Sequence, residues 1–225
     1  MDFIFMLTRD DQTVEDCLEV YDAIRPLGIT HVGCKDVGVS PEVLGELFRR
    51  IRADGATGYL EVVSTSPEAC LQSARVARDL GVERLLGGTA VEEILAILAG
   101  SDVSYYPFPG APVGHPTRLG GTPERVAADC ARFEQLGCAG VDLLAYRATE
   151  AEPIELVRAA RAALGGSLIV AGSIGDADRI QALAAAGVDA FTIGSAAFDG
   201  SFAPRQGLLT SQLRAILAAC ASPPA

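Results

Sequence analysis

The sequence predicts a single-domain α/β protein, a closed (β/α)8 TIM barrel of eight parallel strands. Short apolar runs alternate with helical patterns along the whole chain, and no linker interrupts them. The 225 residues give about 28 residues per unit, which suits a barrel whose usual length is ~250 residues. A doubly wound open sheet is disfavoured because no GxGxxG follows the first apolar run.

Eight apolar runs are short enough to be buried strands rather than helices. The first, DFIFMLT, begins next to the N-terminus, and the others follow at regular spacing. The predicted strands are 2–8, 30–36, 58–64, 84–87, 103–106, 140–146, 168–172 and 190–194.

A helical pattern follows each predicted strand. In the first, Val14, Leu18 and Ile24 recur at helical spacing. Ser40 and Ser66 each precede a proline, a typical start in which the hydroxyl caps the helix and proline takes its first position. The predicted helices are 12–26, 41–54, 67–80, 90–99, 123–136, 153–164, 176–186 and 208–220.

The barrel is expected to span residues 1–221, with 222–225 as a frayed tail. The first apolar run is followed at once by Arg9, so no secretory signal is predicted. No stretch approaches the ~18 apolar residues of a membrane helix. The six cysteines include no CxxC pair and fit a reducing cytoplasm.

The charge and the histidines exclude several function classes. With 18 basic and 29 acidic residues, the net charge of −11 argues against nucleic-acid or membrane partners. The two histidines share no ligand spacing, so no metal site is expected, and no cofactor is predicted. His31 begins the second predicted strand and is expected at the face opposite the active site.

Lys35 is the one lysine among the 18 basic residues. It ends the second predicted strand, where active sites of such barrels lie. Enclosure in the barrel mouth is expected to lower its pKa and free an amine, which can form a Schiff base or shuttle a proton. The alternative is a lysine that only pairs with Asp36 or Glu61.

Two carboxylates interrupt apolar strands and are further catalytic candidates. Glu61 lies in YLEVV and needs a partner if it is buried, for which Lys35 on the neighbouring strand is the natural choice. Asp142 lies in GVDLLA and is either a general acid or base or a hydrogen-bonded structural carboxylate.

Residues at strand ends and in the long loop 107–121 are candidates for substrate binding. The loop is interpreted as a lid or binding loop. The alternatives are a proline-stiffened connection or a contact between copies of the chain in a homo-oligomer. The substrate-binding candidates are Arg9, Tyr106, His115, Arg118, Tyr146 and Arg147.

Two glycine turns follow the last two predicted strands, within AGSIGDADRIQALAAAGVDAFTIGSAAFDG (171–200). Gly172 and Gly194 lack the Cβ that would keep an anion from backbone N–H groups. Ser195 can start a short helix whose N-terminus favours a dianion. These turns predict a phosphate site, although plain tight turns would share the pattern.

This segment resembles the ribulose-phosphate-binding barrels, the superfamily of the histidine-biosynthesis isomerase and the tryptophan synthase α subunit. The resemblance implies that Gly172, Ser173, Gly194 and Ser195 hold a substrate phosphate. It identifies no subfamily, and outside the last quarter of the chain it concerns the architecture alone.

These observations lead to three hypotheses about the function of the protein, each of which involves a small phosphorylated metabolite. The first is a metal-independent, aldolase-type lyase acting on a phosphorylated carbonyl compound, with Lys35 as the amine. The second is a sugar-phosphate isomerase or epimerase that passes a proton through an enediolate. The third is a non-catalytic barrel that binds a phosphorylated metabolite.

Overall fold

Eight parallel strands form one sheet in the computed structural model, which describes residues 1–64, 66–114 and 116–221. The strands lie side by side in chain order, and the last strand pairs with the first. The strands are β1 Asp2–Met6, β2 His31–Lys35, β3 Thr57–Val62, β4 Arg84–Gly87, β5 Ser104–Tyr106, β6 Gly140–Leu143, β7 Ser167–Val170 and β8 Ala190–Ile193.

Backbone hydrogen bonds between β5 and β6 close this sheet into a barrel. The N–H of Ala139 donates to the carbonyl of Tyr105 at 3.0 Å, and that of Asp142 donates to Pro107 at 3.0 Å. The predicted (β/α)8 barrel is therefore confirmed.

Helices surround the barrel at the predicted places. The hydroxyls of Ser40 and Ser66 accept N–H bonds from Val43 and Ala69, so the predicted caps are confirmed. The helices are α1 Cys17–Ile24, α2 Pro41–Ala53, α3 Pro67–Leu80, α4 Val91–Leu98, α5 Pro123–Gln135, α6 Pro153–Ala163, α7 Ala177–Ala185, α8 Ser195–Phe198 and α9 Leu209–Ala221. No helix within the described ranges is long and apolar enough to cross a membrane.

Strand alternation divides the side chains between two cores. Phe5 and Leu60 point outward and pack in the large cluster under the helices, whereas Ile4 and Tyr59 fill the barrel interior. Lys35 and Glu61 are register partners on β2 and β3, so both lie on the inner side of adjacent strands. The fold thereby brings these two charges together inside the barrel mouth.

The prediction of a helix over 12–26 is wrong at its beginning. Thr8–Arg9 and Gln12–Thr13 form a short antiparallel hairpin, and α1 begins only at Cys17. Asp10 and Asp11 occupy the hairpin turn with φ of 51° and 58°. Two left-handed residues produce a tight turn, a local preference that apolar periodicity does not reveal.

Two further strand and loop boundaries differ from the prediction. β6 ends at Leu143, and Ala145–Arg147 form a 3-10 turn instead of extending the strand. The long loop contains a second hairpin, made of Ala111–Val113 and Arg118–Gly120. The predicted tail 222–225 lies outside the described residues.

Candidate active site

A cavity of about 770 Å³ opens at the carboxyl ends of the barrel strands. Its wall combines Lys35 and Glu61 from the strands with Asp11, Arg118 and Arg147 from the loops. The turns after β7 and β8 complete the wall. The cavity therefore lies where barrel enzymes carry their active sites.

Lys35 lies in this cavity between two carboxylates and is only 5% exposed. Its Nζ is 2.6 Å from Asp11 Oδ1 and 3.2 Å from Glu61 Oε1. The expected pairing with Glu61 is confirmed. Asp36 instead accepts hydrogen bonds from the hydroxyl of Ser73 and, at 3.1 Å, from the N–H of Val63.

The expectation of a lowered lysine pKa is wrong. Burial by itself lowers the pKa of Lys35, but the negative charges of Glu61 and Asp11 raise it above its ordinary value. The resting side chain is therefore an ammonium ion. Sequence analysis anticipated the burial and the partner Glu61, but not the second carboxylate.

Asp11 joins Lys35 to Arg147. Arg147 donates from Nη2 to Asp11 Oδ1 at 3.0 Å and from Nη1 to Asp11 Oδ2 at 3.1 Å, the two-pronged geometry of strong arginine–carboxylate pairs. Burial raises the pKa of Asp11, but the hydrogen bond from Arg147 and the charge of Lys35 hold it well below its usual range.

Sequence analysis missed Asp11. The available signal was the pair of aspartates directly after the first strand, a composition typical of turns. The predicted helix over 12–26 made residues 9–11 a plain connection after the first strand, whereas in the structure they belong to a hairpin that carries Asp11 into the cavity.

Asp142 is fully buried beneath this ionic cluster. Neither of its carboxyl oxygens has a hydrogen-bond partner within the described part of the chain. Burial and the nearby charge of Glu61 raise the pKa of Asp142 well above its ordinary value, which favours its protonated form. The hydrogen-bonded structural carboxylate expected as the alternative is not what the described residues show.

The glycine turns after β7 and β8 are required by close packing. A Cβ on Gly172 would lie 2.4 Å from Arg147 Nε, and one on Gly194 would lie 2.5 Å from Thr8 Oγ1. Gly172 and Ser173 have φ of 80° and 59°. Gly175, by contrast, faces open space. The absence of Cβ at 172 and 194 thus makes room for neighbouring protein atoms.

The predicted phosphate-binding residues all line the cavity. The short helix expected after β8 is present as α8, and it begins at Ser195. The N–H of Asp10 donates to Ser195 Oγ at 3.3 Å, which connects this turn to the first hairpin. At the start of α8, the N–H of Ala197 already donates to the carbonyl of Gly194 at 2.9 Å.

Three predicted substrate-binding residues lie away from the cavity wall. Arg9 pairs with Asp199 at 2.7 Å. Tyr146 stacks under Arg179, whose guanidinium carbon is 4.7 Å from the ring centre. Tyr106 packs in the barrel interior because strand alternation points it inward. His31, the first residue of β2, is 2.8 Å from the Tyr59 hydroxyl, as expected for the opposite end.

The second hairpin carries Arg118 to the cavity wall, as predicted. His115, the remaining substrate-binding candidate, lies outside the described residues. Among the residues that are described, no group of three or more His, Cys, Asp or Glu side chains is arranged to hold a metal ion.

Several solved structures are similar to this chain in fold. A mutant tryptophan synthase α subunit from Pyrococcus furiosus matches with a TM-score of 0.69 at 11% identity, over 96% of this chain and 98% of that one. The shared feature is the (β/α)8 barrel fold. No family model and no curated protein matches the sequence.

Two other barrels are similar over nearly their whole length. The native KDPGal structure has a TM-score of 0.64 and 13% identity, with 97% of this chain and 96% of that one covered. A chain of the Amycolatopsis orientalis BexX/CysO complex has a TM-score of 0.62 and 18% identity, with 98% and 90% covered. At these identities the comparison shows a shared barrel fold and leaves the activity of this chain a separate question.

Proposed function

We propose that this barrel is a metal-independent, aldolase-type lyase acting on a small phosphorylated carbonyl compound. The observation that carries the proposal is the position of the chain's one lysine: its amine lines the cavity and has Glu61 at 3.2 Å. A lysine so enclosed, with a carboxylate beside it, has the two groups that imine formation needs.

The proposed chemistry begins when the Lys35 ammonium gives its proton to Glu61. The free amine then bonds to the carbonyl carbon, and Glu61 returns the proton to the resulting hydroxyl, which leaves as water and gives an iminium ion. That ion accepts the electron pair of the Cα–Cβ bond as it breaks, giving an enamine, while the ionised Glu61 takes the proton of the β-hydroxyl and an aldehyde departs. Protonation of the enamine and hydrolysis by water return the amine and the second product.

The phosphate of the substrate is proposed to bind at the turns after β7 and β8. The turns line the same cavity as Lys35, and α8 begins there. Backbone N–H groups supply local positive charge in a chain of net charge −11. Arg118, on the cavity wall, is placed to contribute a cation from the second hairpin.

A sugar-phosphate isomerase or epimerase is the second candidate. The observation in its favour is the ammonium form of Lys35, which can donate a proton to a carbonyl oxygen without first losing its charge. Glu61 would then take the proton from carbon, giving an enediolate. This reaction needs no covalent bond to the enzyme.

Borohydride trapping tests the first candidate. The protein is mixed with a panel of keto- and aldehyde-phosphates, reduced and analysed by mass spectrometry, with Lys35→Met as the control. We expect an adduct on Lys35 that the control lacks. Absence of the adduct across the panel, with solvent deuterium entering a substrate carbon, would instead support the isomerase. Phosphate-dependent thermal stabilisation with neither reaction would indicate a binding protein.

A further inference from the structure

Asp11 occupies a backbone conformation that few side chains adopt. Its φ is 58° and that of Asp10 is 51°, so two consecutive non-glycine residues of the hairpin turn are left-handed. Asparagine and glycine are the usual residues of such turns. Unfavourable backbone conformations persist where the surroundings enforce them, and they concentrate at functional sites.

The hairpin that carries Asp11 is attached to the end of β2. The Thr13 hydroxyl donates to the carbonyl of Lys35 and accepts from its N–H, both at 2.8 Å. The N–H of Thr13 donates to Val37 at 3.0 Å. A Cβ on Gly38 would come 2.3 Å from the Thr13 carbonyl oxygen, so β2 and the hairpin are in close contact. The positions of Asp11 and Lys35 are therefore fixed relative to each other.

The two oxygens of Asp11 have different partners. Oδ1 lies 2.6 Å from Lys35 Nζ and 3.0 Å from Arg147 Nη2, whereas Oδ2 contacts Arg147 alone at 3.1 Å. Arg147 can therefore hold the carboxylate ionised and in place whether or not the lysine is charged. Loss of the lysine contact leaves the pair with Arg147 intact.

We propose that Asp11 is a positioning residue: held by Arg147, it keeps the Lys35 amine in its ammonium form before a substrate binds and so withholds the nucleophile until this contact breaks. The inference concerns a residue outside the proposed reaction steps, and its effect on turnover rests on the proposed function. Within the described part of the chain, four charged or titratable groups surround the amine: Asp11 from the hairpin, Glu61 from β3, Asp142 from β6, and Arg147.

The single lysine allows a direct test without a substrate. Lysine labelled with ¹³C and ¹⁵N gives one side-chain signal, whose titration by NMR reports the Lys35 pKa. In Asp11→Asn we expect the midpoint to fall by about one pH unit or more, because an opposite charge at this distance is removed. Asparagine suits the left-handed turn, so the variant is expected to fold.

Asp10→Asn is the matched control, since it removes the same charge from the same turn. Asp10 has no side-chain contact with Lys35 among the described residues, so its loss should move the midpoint far less. A midpoint unchanged in Asp11→Asn, or lowered equally in Asp10→Asn, would overturn the proposal.

Carbamylation by cyanate gives a second readout. The reaction consumes the neutral amine, so at pH 7.5 Lys35 should react about tenfold faster in Asp11→Asn if its pKa falls by one pH unit. The N-terminal amine of the same molecules serves as the internal reference. Equal rates would count against the role of Asp11, whereas failure of borohydride trapping alone would count against the lyase activity and leave this role standing.

Discussion

Arg147 lies directly against Gly172: a Cβ atom built on the glycine would come 2.4 Å from Arg147 Nε and 2.8 Å from its Cδ. The same arginine reaches Asp11 with both terminal nitrogens and donates to the carbonyl of Thr117 at 3.3 Å. The turn after β7 thus determines the path of the side chain that connects the loops after β1, β5 and β6.

Gly172→Ala should therefore destabilise the protein more than an alanine elsewhere in the same turn. The left-handed φ of 80° costs a residue with a Cβ about 1–2 kcal/mol, and the displaced Arg147 adds to that loss. Gly175→Ala is the control, because nothing lies within 4 Å of its Cβ position. Urea unfolding measures both variants, and equal losses would show that Arg147 tolerates the methyl group.

Lys35→Met should remove much of the stability at pH 7. Breaking a buried ion pair costs about 3 kcal/mol or more, because Glu61, only 6% exposed, would be left charged without its ammonium partner. The double variant Lys35→Met, Glu61→Gln should recover part of the loss, since the amide carries no charge. Urea unfolding of the single and double variants gives the coupling free energy between Lys35 and Glu61. A coupling free energy of zero would contradict the pairing seen here.

Asp142 should make stability fall as the pH rises. Its pKa is raised well above the ordinary value in the fold, so between the unfolded pKa of about 4 and the folded pKa the native state binds the extra proton. The stabilisation is complete below that window and is lost as the pH rises through it. Asp142→Asn should flatten this dependence.

Unfolding measurements from pH 5 to pH 8 test the role of Asp142. As the pH rises, the free energy of unfolding of Asp142→Asn should increase relative to that of the parent protein. Asp102→Asn is the control, because Asp102 is exposed at the other end of the barrel and should leave the pH dependence unchanged. Parallel profiles for the parent and Asp142→Asn would mean that Asp142 is ionised in the fold.

Inorganic phosphate should stabilise the protein by binding at the turns after β7 and β8. At ten times its Kd, a ligand adds about 1.4 kcal/mol to the free energy of unfolding. Gly175 faces open space on the cavity wall, so Gly175→Asn and Gly175→Asp can both be accommodated and differ only in charge. The asparagine variant should retain the phosphate effect on thermal unfolding, and the aspartate variant should lose most of it. The same response in both variants would place phosphate elsewhere.

The sequence pattern was sufficient to predict the barrel because each strand–helix unit is marked by its own apolar run and helical pattern. Apolar runs predicted all eight strands, and Ser40-Pro41 and Ser66-Pro67 marked helix starts that the structure confirms. The same reasoning placed Lys35 and Glu61 on adjacent strands, and their side chains do meet. It failed at the first hairpin, where the conformations of Asp10 and Asp11 are enforced by contacts with β2.

By itself, the sequence determined that this chain forms a (β/α)8 barrel and that a lone lysine lies at the mouth. Both follow from local periodicity and strand polarity, which act over a few residues. Only the tertiary structure decided that the pKa of Lys35 and the pKa of Asp142 are both raised above their ordinary values. Lys35 and Arg147 lie 24 and 136 residues along the chain from Asp11, and their electrostatic interactions depend on distances that only the closed barrel sets.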